Sequence, residues 1–581
     1  MFLRVFAFNC WFLLGWVVPV FAAGQLRLVT PPVDHRTTSA SIYFVGTAPP
    51  GGTLTVNGQP VPRSALGHFA WRLALAPGEN AFYWSYARPG APAETLVRRV
   101  SRLPGRTPVP TDRPFLAVVQ PAVAAAVAAD SVLCASAQGS PGGQMQVTVG
   151  EETFAMVELP PRVEPGDTGD LLGGTEPLPV AGLYGGCFTA RPGWRDQPVR
   201  VELRWRDQTL AQTAPGTVTT LGAGALTVIE VNAAEAIVRA GGGAEFARLT
   251  PLVRGVRARA VASNGEWLQL AGAGWVNRRD VRVLTNGTPV PRSAVRALRT
   301  RSNTGASELL IPLQVALPYS VRQEEGRLVL TVWGAESQTD IIRFESRDPV
   351  IRSVQWEPVG SEGVRYYVDL RANRQWGYQV RYEGTTLVLA VRRPPRVGRN
   401  LAGITVMLDP GHGGGQSGSL GPSGLPEKAV NLQIALKLRA ALERAGAKVL
   451  LTRDRDTTLS LEARGKLMEQ QQPTVFLSLH NNALPDGGDP LRQYGTSAYW
   501  YHPQGRALAE TIHAQLVAEL KQPDYGLYWD SLAVIRPTVA PAVLLELGFM
   551  THPEEFARIS NPAFQERLAG AVTRGLLRWL R

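Results

Sequence analysis

Two histidines and two glutamates in the last third of the chain have the types and neighbours that metal-assisted hydrolysis requires. Leu408-Asp409-Pro410-Gly411-His412-Gly413-Gly414 carries one imidazole, Glu427-Lys428 a carboxylate, and Ser478-Leu479-His480-Asn481-Asn482 a second imidazole. Two imidazoles and a carboxylate are the ligand set of an open catalytic zinc site, in which the fourth position is left to water. A further stretch, Val543-Leu544-Leu545-Glu546-Leu547-Gly548-Phe549, puts an acid where a buried strand is normally apolar throughout. Glu546 is the candidate base for that water.

The elements that would have to position these groups can be read from hydrophobic period. Apolar runs at Ile404 to Leu408, Lys448 to Thr452, Val475 to His480, Ser497 to Tyr501 and Val543 to Leu547 predict strands. Between them, Val430, Ile434, Leu438, Ala441, Leu442 and Ala445 recur at helical spacing, with Gly446 as the stop. Leu508, Ile512, Leu516 and Leu520 predict a second helix, and Leu568, Val572, Leu576 and Leu580 a last one. The alternation predicts an α/β layer protein, in which ligands gather beyond the strand ends. His412 and His480 are expected to follow directly on strands and Glu427 to open a helix, so that three edges converge on one metal. A second reading pairs Glu546 with an arginine such as Arg453 or Arg536 as a buried structural acid. His502, His513 and His552 are expected at the surface or in packing, and Asn481 and Asn482 to satisfy local backbone groups.

The same residues carry a family resemblance. Leu408 to Gly414, Gly424-Leu425-Pro426-Glu427-Lys428-Ala429-Val430-Asn431-Leu432, Leu451-Thr452-Arg453, Ser478 to Asn482 and Pro541 to Phe549 make the region 403–581 resemble the zinc-dependent N-acetylmuramoyl-L-alanine amidases of bacterial cell-wall turnover. The resemblance implies Zn²⁺ held by His412, Glu427 and His480, with Glu546 as catalytic acid/base. It also implies peptidoglycan as the substrate, cut between the lactyl group of N-acetylmuramic acid and L-alanine. The chain departs from the family at Gln416 and Ser417, where an acidic residue is common, and near His552, where an asparagine is common; neither touches a ligand or the base. Only a short Gly-, Asp- and Pro-containing loop follows His480, which leaves no room for the autoinhibitory helix of some regulated members. Two other classes share these features: a zinc peptidase acting on the stem peptide, and a non-enzymatic envelope scaffold.

Before Ile404 no comparable polar constellation occurs, and the pattern is of short alternating strands. Residues 25–103 predict a β-sandwich, with Asn57-Gly58 as a hairpin turn. A proline-rich connector, Pro104 to Pro114, leads to a second β-rich unit, 114–216, which contains Cys134 and Cys187 and has no tryptophan between them. Residues 226–284 resemble a bacterial SH3-type barrel, on Ile237-Val238-Arg239-Ala240-Gly241-Gly242, Gly265-Glu266-Trp267-Leu268-Gln269-Leu270 and Gly274-Trp275-Val276. The resemblance implies wall binding; the other reading is a spacer whose tryptophans fill the core. Residues 301–393 predict a further β unit in the place of a wall-targeting domain. Asn286-Gly287-Thr288-Pro289-Val290-Pro291-Arg292-Ser293-Ala294 echoes the segment from Asn57 to Ala65. The expected fold class is thus several small all-β modules followed by an α/β zinc hydrolase domain.

Composition narrows the setting. The chain has 581 residues, 44% hydrophobic and 19% charged, which fits a multidomain globular protein. Its net charge of +12 is carried almost wholly by arginine, and the lysines (Lys428, Lys437, Lys448, Lys466, Lys521) all lie in the C-terminal region. Basic charge of this scattered kind suggests anionic wall polymers or membrane surfaces and not nucleic acid. Arg4, the apolar run Val5 to Val20 and the small residues Ala22 and Ala23 predict a signal peptide over residues 1–23, with export to the periplasm or cell envelope. The alternative is an uncleaved anchor, since about 18 apolar residues can span a bilayer. After cleavage no stable transmembrane segment is expected, and Cys134 and Cys187 remain as a pair, read as a disulfide joining two sheets or as two free thiols.

Overall fold

The computed structural model describes residues 25–103, 109–110, 112–160, 162–163, 179–222, 228–285, 287–345 and 347–581. The predicted signal peptide, most of the proline-rich connector and Asn286 lie outside them. Among the described residues no helix is long and apolar enough to cross a membrane.

Period-2 alternation yields strands through Arg392. In residues 25–103 a three-stranded sheet (Arg27–Thr30, Ser41–Thr47, His68–Ala74) and a five-stranded sheet face each other across one core. Phe44 and Phe69 of the first meet Trp84 of the second at 5.2 and 5.3 Å between rings. Asn57 and Gly58 adopt φ of 49° and 80°, the positive values that a tight hairpin turn requires.

In the next unit Cys134 and Cys187 are bonded. They do not join two sheets: strands Val132–Gly139 and Leu183–Thr189 are neighbours in one antiparallel sheet, and the two cysteines are directly opposed in its register. Spacing along the chain could not distinguish an inter-sheet from a cross-strand bridge.

The expected division into separate modules needs correction beyond this point. Strand Gln208–Leu221 runs past residue 216 and pairs with Ala125–Ala128, which in turn pairs with Arg257–Asn264, so one sheet continues into the following unit. Trp267 and Trp275 do not fill the core of that unit; they are half-exposed, and alternate residues Leu268, Leu270 and Val276 are buried instead. The first strand of the fourth unit opens at Ser293 and not at residue 301. A single apolar core runs from Ile229 through Val295 and Leu330 to Val391, so these two units form one body.

That body is joined to the C-terminal domain. Trp376 is 6% exposed and packs on Trp579 at 5.1 Å, and Arg392 donates to the carbonyls of Gln472, Pro473 and Val539.

From residue 405 the period changes and a layered α/β domain follows. Its strands are β1 (Thr405–Pro410), β2 (Lys448–Leu451), β3 (Val475–Asn482), β4 (Thr496–Trp500), β5 (Asp524–Trp529) and β6 (Ala542–Phe549). Its helices are α1 (Glu427–Arg444), α2 (Leu461–Gln471), α3 (Pro503–Leu520), α4 (Pro553–Ile559) and α5 (Pro562–Leu580). The sheet order is β2-β1-β3-β6-β4-β5, parallel except where β4 runs antiparallel to β6. One face packs on α1, α3 and α5 through residues such as Leu438, Ile512 and Leu576. The other packs Met407, Phe476 and Leu544 on Met468 of α2.

Candidate metal centre

At the carboxyl ends of β1 and β3 the chain brings together the three predicted donors. Nε2 of His412 faces Oε2 of Glu427 at 3.2 Å, and Nδ1 of His480 faces Oε1 of Glu427 at 3.1 Å. The donor atoms all lie within 4.8 Å of one another. A tetrahedral ion with bonds of about 2.0–2.2 Å holds its donors roughly 3.3–3.6 Å apart, so the cluster has the chemistry and the size to hold a divalent cation.

His412 stands just beyond β1 and Glu427 opens α1. His480 differs from expectation: it lies within β3, which continues to Asn482 and bulges between the two to pair with Phe549. Two glycines make the close approach possible. A Cβ on Gly411 would fall 2.2 Å from the His480 ring, and one on Gly418 would fall 2.4 Å from Glu427 Oε2.

Glu427 is buried yet held as a carboxylate. Burial alone would raise its pKa, but the imidazoles of His412 and His480 overcome that and hold it well below the usual range. The Asn481 backbone N–H donates to Oε1 at 3.1 Å and Asn431 Nδ2 at 3.0 Å; Ser419 donates to Oε2 from both its N–H and its hydroxyl. Asn431 and Ser419 carried no role in the sequence, although Asn431 lies in a quoted motif, and Asn481 supports the site through its backbone N–H.

The loop that carries His412 is fixed from beneath. His412 has a φ of 60°, a left-handed conformation that non-glycine residues rarely adopt. Its carbonyl accepts from Arg464 at 2.7 Å, while Arg453 donates to Pro410 and Gly411 at 2.8 and 2.9 Å. Arg464 is also paired with Asp409, both fully buried, and Asp409 accepts from Thr452 and Ser478 at 2.6 and 2.8 Å. Acids that end a buried strand were the available signal, but a partner 55 residues away was not visible in sequence.

Glu546 lies on β6 directly beside His480 in the β3–β6 register. The residue keeps some exposure, but its Oε2 is buried without a hydrogen-bond partner among the described residues. Burial pushes its pKa well above the carboxylate range, and the negative charge of Glu427 adds to this. The structural reading of Glu546 is not borne out: Arg453 is bonded to backbone carbonyls and Arg536 to Ser531. The other histidines stay apart from the cluster. His502 and His552 flank helix starts, His513 is buried in α3, and His502 and His552 bond to Arg536 O and Glu555 N.

The N-terminal unit reaches the loops that follow β1 and β3. Arg27 donates to Ser423 O at 3.1 Å, Tyr43 OH to Leu484 O, and His35 meets Asp486 at 2.7 Å. Tyr43, Val45 and Ala70 share an apolar cluster with Leu484 and Phe549.

Residues 406–578 match the model of a family described as N-acetylmuramoyl-L-alanine amidase. Among curated relatives, a protein named probable cell wall amidase LytH, from Staphylococcus aureus, is 36% identical over 178 residues, 30% of this chain and 58% of the relative. The chain thus spans less than two thirds of that relative's length. Among solved structures, the catalytic domain of CwlV, an N-acetylmuramoyl-L-alanine amidase from Bacillus (Paenibacillus) polymyxa var. colistinus, is 34% identical, over 30% of this chain and 98% of that one, with a TM-score of 0.29. The N-acetylmuramoyl-L-alanine amidase from Clostridium difficile 630 is also 34% identical, over 31% and 97%, with a TM-score of 0.30.

Proposed function

We propose that this chain, whose residues 406–578 belong to the N-acetylmuramoyl-L-alanine amidase family, is an exported hydrolase that cuts the amide between N-acetylmuramic acid and L-alanine in peptidoglycan. The observation that carries the reading is the convergence of His412, Glu427 and His480 beside a glutamate whose buried oxygen has no partner among the described residues.

His412, Glu427 and His480 would hold Zn²⁺, a donor set matched to that ion. Bound there, zinc supplies Lewis acidity that activates water and polarises an amide carbonyl. Glu546 takes the proton from the attacking water at its free Oε2. Its raised proton affinity then lets it keep that proton until the leaving nitrogen of L-alanine accepts it. Arg453 and Arg464 hold the His412 loop so that the imidazole does not have to be ordered at each turnover. The β units before the domain are proposed to bring it to the wall, and residues 1–23 to direct export.

The test is digestion of purified peptidoglycan with metal analysis alongside. Stem peptides with a free L-alanine amino terminus are expected, together with one zinc per chain that is lost in His480→Ala. New amines within the peptide would instead identify a stem-peptide peptidase, and zinc-loaded protein without any product would identify a scaffold.

A further inference from the structure

We infer that the cavity between the unit 228–283 and the unit that begins at Ser293 binds an oxyanion, the phosphate or carboxylate group of an acidic polymer. The cavity measures ≈ 190 Å³, more than ten times the roughly 10–15 Å³ that admits one water. Arg257, Arg259, Arg292 and Trp333 line it, with Glu362 as the acidic residue among them. Its walls come from both units, and the core that these share holds the cavity's shape.

The side chains offer donors in excess of acceptors. Arg259 has no carboxylate partner among the described residues. Arg257 uses its Nε on Glu230 at 2.7 Å, and Arg292 one nitrogen on Glu336 and Ser361 O at 3.2 and 3.3 Å. Each guanidinium has five N–H groups in a fixed fork, so both keep donors free. Trp333 adds an N–H of its own: its Nε1 is buried and has no acceptor among the described residues. The ring is laid against Gly272, where a Cβ would fall 2.3 Å from it. A buried donor left without an acceptor is destabilising, so Arg259 and Trp333 are lining residues with hydrogen-bonding capacity to spare. Guanidinium forks match the paired oxygens of phosphate and carboxylate. None of these residues belongs to the candidate metal centre, so this inference stands apart from the amidase reading.

The experiment is calorimetric titration of the full chain at about 0.15 M salt, which screens exposed charge, using inorganic phosphate, galacturonate, polyphosphate and polygalacturonate as separate probes. Arg259→Gln and Trp333→Phe are expected to weaken binding about tenfold or more, with melting curves near wild type and release of stem peptides unchanged. Arg322→Gln, at a side chain 70% exposed, is the control and should leave binding as it was. Preference for the phosphate pair of probes would identify a phosphodiester polymer as the source, and preference for the uronate pair an acidic polysaccharide. Absence of binding by all four probes, wild-type affinity in both lining variants, or an equal loss in the control would overturn the proposal.

Discussion

Glu546 and Glu427 are two carboxylates that both neighbour His480, and their surroundings drive them in opposite directions, one towards holding a proton and the other towards losing it. Glu546→Gln should retain zinc and lose turnover by roughly 10²- to 10⁴-fold, the usual worth of a general base, measured as release of L-alanine-terminated stem peptide. The same variant has a stability signature in metal-free protein. The folded pKa of Glu546 is raised, so its contribution to stability is present below the unfolded value of about 4.3 and is lost as pH rises through the folded value. Metal-free Glu546→Gln should therefore melt higher than wild type at neutral pH, with the gap closing near pH 4. A variant that melts lower at neutral pH would return Glu546 to a structural role.

At the scale of elements, hydrophobic period made β1, β3, β6, α1, α3 and α5 legible, because each buries a continuous face, and with them the placement of His412, Glu427 and Glu546. The period failed where burial is slight. α2 buries only Arg464 and Met468 and is set off by the Ser460 cap, α4 is 7 residues long, and β5 is an edge strand with Trp529 63% exposed. Yet α2 is the element that brings Arg464 to Asp409 and to the His412 carbonyl. Arg464→Met leaves the Asp409 charge buried and unpaired, which costs about 3–5 kcal/mol and should also lower zinc affinity. Denaturant titration and metal competition measure the two effects. Asp409→Asn with Arg464→Met removes both charges and should recover part of the stability but not the metal affinity, since the His412 loop stays unclamped.

Across the whole molecule, the units that sequence divided at residues 284 and 301 share a core, and the last of them shares Trp376 with the C-terminal domain. A chain beginning at Arg399 should consequently be less stable than one beginning at Val228, which keeps the shared core; Trp376→Ala alone should cost about 3–5 kcal/mol, read by urea unfolding. Reading each β run separately could not reveal this, because a strand's alternation reports that one face is buried and not what covers it. The Cys134–Cys187 bridge lies far from the metal cluster in sequence, on exposed residues of one sheet. Its removal should cost about 2–4 kcal/mol in the unit that holds it while zinc content stays the same.

The clasp of Arg27, His35 and Tyr43 on the loops at Ser423 and at Leu484 to Asp486 makes the N-terminal unit a tethered ligand of its own catalytic domain. Tethering turns that association into an intramolecular equilibrium, so in the intact chain it does not respond to dilution. A single proteolytic cut between the N-terminal unit and the rest of the chain would turn that equilibrium into a bimolecular one. The two fragments would then dissociate on dilution, and the order of the catalytic loops, with any turnover that depends on it, would become a function of enzyme concentration.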